Sequence, residues 1–180
     1  MVIKNVVQAG NPLLRQKANL VNDISSNKVQ EIIKNLIDTM RADSLVGEAA
    51  PQIGESVRIF ISEVRDTKYR KSEQGGSLKI YINPEIVDCS GEEIVSYEGC
   101  GSVAHAQLFG PVKRHKFVTV KATDENGKEF TLKAEGFLAR IIQHEYDHLE
   151  GILFTDKLDN WTKVMSKEEY IKMRSKGKSN

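Results

Sequence analysis

His144, Glu145 and His148 stand in the segment His144-Glu145-Tyr146-Asp147-His148, an H-E-x-x-H. On a helix, positions i and i+4 lie one above the other on the same face. Two imidazoles so placed can hold one metal ion through a ring nitrogen each. Glu145 stands one step round the helix, close enough to reach a metal-held water without being a ligand. A divalent ion lowers the pKa of such a water toward ~7, and the carboxylate can then take its proton. A catalytic centre of this type needs a third protein ligand and one open position. Two kinds of candidate supply it. One is a downstream carboxylate, Glu168 or Glu169. The other is Cys100, upstream in Glu98-Gly99-Cys100-Gly101-Ser102, where small neighbours let backbone approach a ligand closely.

The elements that must position these groups can be read from periodicity. Between Gly136 and Leu149, Phe137, Ile141, His144 and His148 fall on one stripe, with Leu138, Ile142 and Leu149 beside it, which predicts a mostly buried helix ended by Gly151. A second helix is predicted over Asn27 to Ala42, capped by Ser26 or Asn27, with Ile32, Ile33, Leu36, Ile37 and Met40 on one face. Leu45 to Gln52 reads as a loop. Strands are expected over Val57 to Ile61, Leu78 to Ile82 (ending at Pro84), Phe117 to Ala122 and Phe130 to Ala134. Asn126-Gly127 is a hairpin turn between the last two. Residues 65–77 are polar, hold Gly75-Gly76 and read as a mobile surface loop. A final helix is expected over Ser166 to Arg174, within a C-terminal helix and tail spanning 159–180. The fold class is therefore α+β, with antiparallel sheets packed around a central metal-binding helix, and the whole of 1–180 reads as one domain.

Composition excludes several function classes. The chain has 180 residues and a net charge of +1, so the basic footprint of a nucleic-acid binder is absent. The lysines from Lys163 to Lys178 read as a solvated helix end and tail. No run of 18 apolar residues exists, so no transmembrane helix is implied. The two cysteines, Cys89 and Cys100, need not pair in a reducing compartment, which leaves a metal-bound thiolate as a reading for one of them. The expected location is cytoplasmic, or an organelle matrix if a presequence has been removed.

Three stretches resemble, in order, the signature motifs of the peptide deformylase family. The first, similar to G-x-G-x-A-A-x-Q, ends here in Gly47-Glu48-Ala49-Ala50-Pro51-Gln52. The second, similar to E-G-C-x-S, is Glu98 to Ser102, and the third, similar to Q-H-E-x-D-H, is Gln143 to His148. The likeness continues through Ile82-Asn83-Pro84-Glu85, Asp124 to Gly127 and Gly151 to Phe154, and covers residues 4 to 158.

The resemblance implies that Cys100, His144 and His148 hold one divalent ion per chain, with a water in the fourth place. The ion would be Fe²⁺, with Zn²⁺, Ni²⁺ or Co²⁺ as substitutes. A thiolate with two imidazoles suits these metals far better than Mg²⁺ or Ca²⁺. The implied reaction is removal of formate from N-formylmethionyl peptides of nascent proteins, with Glu145 as general base. The Gln52 amide and the Gly101 backbone N–H would donate to the developing oxyanion. Val46, Gly47, Glu98, Gly99, Phe137, Arg140 and Ile141 are the expected substrate-binding residues, the last group because Phe137, Arg140 and Ile141 share the His144 face. The implied partners are the formylated peptide and, transiently, the ribosome, with no membrane and no specific nucleic acid. Rival readings are a related H-E-x-x-H metallopeptidase using Glu168 or Glu169, and a deformylase-like protein that binds metal and peptide with weak or no turnover.

Three positions depart from the family pattern. Leu45 stands where the first Gly of the first motif usually sits, Glu48 replaces a Leu, and Gly101 replaces the Leu after the cysteine. Glu48 is expected to place a carboxylate beside the site and to favour peptides with basic residues beyond the first. Arg140 stands where an apolar pocket residue is usual, and Val103 to Arg114 lacks the usual early Pro and is longer than in common bacterial forms. With Ala104 and Ala139 to Ile142, the chain resembles mitochondrial-like or otherwise divergent members of the family.

Overall fold

The structure, a computed structural model, describes residues 2–65 and 76–176. Most of the loop expected over 65–77 and the last four residues of the expected tail lie outside the described residues.

Helix α1 (Asn27–Ala42) begins where the Ser26 hydroxyl accepts the Val29 N–H, a side-chain cap for one of the orphan donors of the first turn. Its apolar face, with Ile32, Ile33, Leu36 and Met40, packs on Ile59, Ile61, Ile80 and Ile82. Those isoleucines belong to strands β2 (Ile59–Ser62) and β3 (Lys79–Cys89). Strand β1 (Gly47–Ala49) pairs antiparallel with β2, so part of the stretch expected as a loop is a strand, followed by a 3-10 turn over Ala50–Ile53. β6 (Phe117–Thr123) and β7 (Glu129–Glu135) complete a five-stranded antiparallel sheet in the order β1-β2-β3-β6-β7. β3 continues past Pro84, where the sequence pattern ends it. Its ladder to β6 shifts register between Ile82 and Glu85, and Asn83 takes a left-handed φ of 49°. Proline carries no ladder N–H and is accommodated at such an irregularity.

A second, three-stranded sheet has the order β4-β5-β8, from β4 (Glu93–Glu98), β5 (Leu108–His115) and β8 (Met165–Ser166). The sequence pattern predicted neither β4 nor β5. Pro111 breaks the usual strand signature of β5 but pairs across from Tyr97, and β8 reaches only Leu108 and Phe109, so no ladder bond is lost there. Ser166 therefore belongs to β8, and the last helix, α3, runs over Lys167–Lys176.

Helix α2 (Gly136–Leu149) sits between the two sheets and is buried on almost every side. Leu138, Ala139, Ile141, Ile142 and Leu149 join the core formed by Phe60, Tyr81, Val118 and Val120. Gly151 follows it at φ 73°, and a Cβ there would come 2.7 Å from the Arg15 backbone, so only glycine turns the chain at this point. Gln143 locks the helix to β5: its amide nitrogen donates to the His115 carbonyl at 3.0 Å, and its oxygen accepts the His115 N–H at 3.0 Å.

Candidate functional site

Three donors converge between α2 and the segment following β4. Cys100 Sγ, His144 and His148 each offer one ligand atom, all within 4.8 Å of one another. Cys100 Sγ lies 3.2 Å from His148 Nε2, and the two imidazoles, four residues apart, stand edge to face with centroids 5.1 Å apart. Cys100 and His148 are 2% and 1% exposed. This donor set and spacing fit a mononuclear tetrahedral centre with three protein ligands. Among the described residues, no other group of three potential ligands is this close together. Glu168 and Glu169 lie in α3, outside this cluster, and Glu169 pairs with Lys172 at 2.6 Å, so of the two kinds of candidate for the third ligand the structure brings Cys100, not a downstream carboxylate, to the histidines.

Glu98 orients His144. The imidazole Nδ1–H donates to Glu98 Oε2 at 2.9 Å, which leaves Nε2 for a metal, the usual carboxylate–histidine arrangement. Arg114 grips the same carboxylate with two donors, Nε to Oε1 at 3.0 Å and Nη2 to Oε2 at 2.9 Å. Arg140 Nη1 adds a third at 2.6 Å. Arg114 also bonds Asp147, which in turn holds Lys157 at 2.7 Å. Burial alone would raise the Glu98 carboxyl, but the bonds from His144 and Arg114 outweigh it and hold it well below its usual range. Glu98, expected to bind substrate, lines the cavity, and both of its oxygens are taken up by these bonds, through which it positions a metal ligand.

Electrostatics around the centre are set by burial. Loss of solvent first, then Glu145, pushes the Cys100 thiol up, so the thiolate requires a cation beside it. Burial and the neighbouring His144 push His148 well below its usual value, which keeps it neutral and able to ligate. Glu145 is raised well above the ordinary carboxyl value, by burial and then by Glu48 and Glu98. Its Oε2 is buried with no hydrogen-bond partner among the described residues. A Cβ on Gly47 would lie 2.4 Å from Glu145 Oε1, so the glycine leaves room for that carboxylate.

The Gln52 side chain is fixed by its own oxygen, which accepts the Ala49 N–H at 2.8 Å. Its amide nitrogen thereby faces Cys100 Sγ at 3.6 Å and Ser102 Oγ at 3.4 Å. Gly101 lines the same space, and a Cβ on it would stand 3.0 Å from Leu45 Cδ1. Leu45 thus fills the room that a larger residue at 101 would need, and the two departures from the family motifs offset each other.

These groups lie in a cavity of about 880 Å³. Val46, Gly47, Gly99 and Gln52 border it from one side, and Phe137, Arg140 and Ile141 from α2. Arg140 reaches the wall with its guanidinium already tied to Glu98 and to the Ile94 and Val112 carbonyls. Glu48 is not among the lining residues: it is 0% exposed within β1, so the expectation that it selects basic peptides is overturned. Sequence reasoning missed Arg114 and the wall formed by Phe109, Tyr170, Ile171 and Arg174. Asp147 was visible inside the third motif, whereas nothing in the order of residues marks Arg114.

The family model described as polypeptide deformylase matches residues 3–164. Peptide deformylase 1 of Clostridium perfringens is 43% identical over 156 residues, 87% of this chain and 98% of that relative. The peptide deformylase of Carboxydothermus hydrogenoformans is 44% identical over 160 residues, 89% of this chain and 96% of the relative. Among solved structures, the Met-Ala-Ser-bound class I type b peptide deformylase of Acinetobacter baumannii superposes with a TM-score of 0.79 at 33% identity, covering 87% of this chain and 99% of that one. The actinonin complex of the Ehrlichia chaffeensis peptide deformylase gives 0.81 at 30% identity, with both chains fully covered. No helix among the described residues is long and apolar enough to cross a membrane.

Proposed function

The chain belongs to the polypeptide deformylase family, and from that premise we propose how its own residues carry the reaction. It is a peptide deformylase, a metal-dependent hydrolase that removes the N-terminal formyl group from formylmethionyl peptides. The observation that carries the assignment of roles is the convergence of Cys100, His144 and His148 at the edge of a cavity that Cys100, His144, Glu145 and Gln52 line.

Cys100, His144 and His148 would hold the ion, which we read as Fe²⁺, with Zn²⁺, Ni²⁺ and Co²⁺ as substitutes for the same soft donor set. When bound, a divalent ion there acidifies a water and polarises the formyl carbonyl. Glu145 takes the proton of the attacking water, and burial, which raises its carboxyl above the ordinary value, makes it a stronger base than a solvated carboxylate. The water oxygen bonds to the formyl carbon, and negative charge gathers on the carbonyl oxygen. The Gln52 Nε2–H and the Gly101 N–H donate to that oxygen, and one such donor is worth ~2.7–4 kcal/mol of barrier. Glu145 returns the proton to the amine as the C–N bond breaks, leaving formate and a free N-terminal methionine.

The whole of 1–180 serves as one catalytic unit, with Phe137, Ile141, Val46 and Gly47 around the first side chain. A peptide in this cavity is supported by the Met-Ala-Ser complex of the Acinetobacter baumannii relative. Formylated nascent chains place the work in the cytoplasm, in passing contact with the ribosome. The test is formate release from formyl-Met-Ala-Ser by iron- or nickel-loaded protein under anaerobic conditions. The metallated wild type releases formate and Glu145→Ala does not. A folded, metallated wild type that releases none overturns the reading.

A further inference from the structure

We propose that helix α3 builds a subsite for the peptide residues beyond the first, with an apolar floor at Tyr170 and a preference for an acidic side chain set by Arg174. The inference rests on the deformylase reading and adds to it a substrate preference. The family model matches residues 3–164, so the segment that forms this wall lies beyond the residues it matches.

The segment is nonetheless built into the site. β8 pairs with β5 at Leu108 and Phe109, and the Lys167 N–H extends the attachment to the Gln107 carbonyl at 2.9 Å. This pairing brings Tyr170 flat onto Phe109, with ring centroids 4.4 Å apart and planes 8° apart. Tyr97 of β4 closes against the same ring at 5.9 Å. On its far side Phe109 covers Gly99, where a Cβ would come 2.8 Å from the ring. Gly99 adjoins Cys100. A continuous stack therefore runs from α3 to the metal ligand, and Tyr170, Ile171 and Arg174 line the cavity that holds His144 and Glu145.

α3 buries none of its residues, and Ile171 is 45% exposed. A helix with so little core contact is held by its edge pairing and the aromatic stack, and it presents Tyr170 and Ile171 to the cavity. A substrate chain leaving the centre toward α3 meets an aromatic shelf and then Arg174, one helical turn on from Tyr170. Arg174 has no ion-pair partner among the described residues. Of the acidic groups lining the cavity, Glu98 is consumed by Arg114 and Arg140, Glu145 sits at the catalytic end, and Glu135 directly precedes α2. The charge nearest the far end of the shelf is thus positive, and it selects a carboxylate.

The test uses the full, metal-loaded chain and C-terminally amidated substrates, so that only a side chain carries the charge. Formyl-Met-Ala-Asp-Ala, formyl-Met-Ala-Lys-Ala and formyl-Met amide are compared by kcat/KM. Wild type favours Asp over Lys by about 3- to 5-fold at low salt, as for an exposed ion pair. The preference shrinks as salt rises, and Arg174→Glu reverses it. Tyr170→Ala lowers the advantage of the tetrapeptides over formyl-Met amide by about 2- to 10-fold, through loss of aromatic packing. Equal Asp-to-Lys ratios in wild type and Arg174→Glu, or an unchanged tetrapeptide advantage in Tyr170→Ala, overturn the subsite while formate release keeps the deformylase reading intact. No formate from any of the three overturns both.

Discussion

Glu48 makes the folded protein lose stability as pH rises, and replacing it should remove that loss. Its carboxyl is 0% exposed, and both oxygens lack a hydrogen-bond partner among the described residues. Burial, and then Asp43, push it up to about 8 from an ordinary 4.5. Below pH ~4.5 the group is protonated in the folded and unfolded chain alike, so it contributes no pH dependence. Between 4.5 and about 8 the unfolded chain gives up the proton while the folded protein keeps it. The unfolded state is favoured progressively across that window, and the loss is complete above it. At ~1.4 kcal/mol per pH unit, the full loss is about 5 kcal/mol. Glu48→Gln keeps the shape and deletes the titration. In urea unfolding of the metal-free proteins, Glu48→Gln should exceed wild type by about 3–5 kcal/mol at pH 8.5, and the gap should narrow by most of that amount at pH 5. A gap that stays constant between the two pH values refutes the reasoning, because a packing effect alone does not titrate.

Three further outcomes follow from neighbouring contacts. Gly101→Leu alone should cost about 1–3 kcal/mol by overpacking against Leu45, and Leu45→Gly combined with it should restore at least ~1 kcal/mol of that, measured as a coupling energy in a double-mutant cycle. Gly47→Ala should displace the Glu145 carboxylate and lower kcat by about 100-fold while metal content, read by elemental analysis, stays at one ion per chain. Arg114→Met should leave Glu98 and Asp147 without their shared cation, cost about 3–5 kcal/mol of stability, and weaken metal binding by roughly 10–100-fold in a competitive chelator titration.

The two long helices and the metal-binding pair were legible in the sequence because both depend on spacing along one element. The 3.6-residue period marks α1 and α2, and H-E-x-x-H places two imidazoles on one face wherever that helix sits. Cys100 was legible only through its motif, since its approach to His148 is made by the fold. β4 and β5 were hidden for different reasons. β4 is exposed along half its length and shows no alternation, and β5 carries Gly110 and Pro111 inside a strand. Glu48 was misjudged because a carboxylate in a short segment reads as solvent-facing, whereas β1 is covered on both faces and buries all three of its residues.

Burial of charge around the centre follows one logic, and Glu48 shows its cost. Glu98 is buried among Arg114, Arg140 and His144, and each bond it accepts also fixes the ring that ligates the metal. Glu145 is buried with an oxygen that has no partner among the described residues, as its task of taking a proton requires. Glu48 is buried with two oxygens that have no partner among the described residues, and it does not line the cavity. Its effect reaches the centre only as a field, since it stands second among the causes that raise Glu145. The stability it costs at high pH and the basicity it lends to Glu145 therefore come from the same buried carboxylate. The field acts only where Glu48 is ionised, above about pH 8, so Glu48→Gln should stabilise the fold and lower kcat/KM together at pH 8.5 and leave kcat/KM unchanged at pH 6. A variant that gains the stability with no change in kcat/KM would show that the field of Glu48 is screened before it reaches the base.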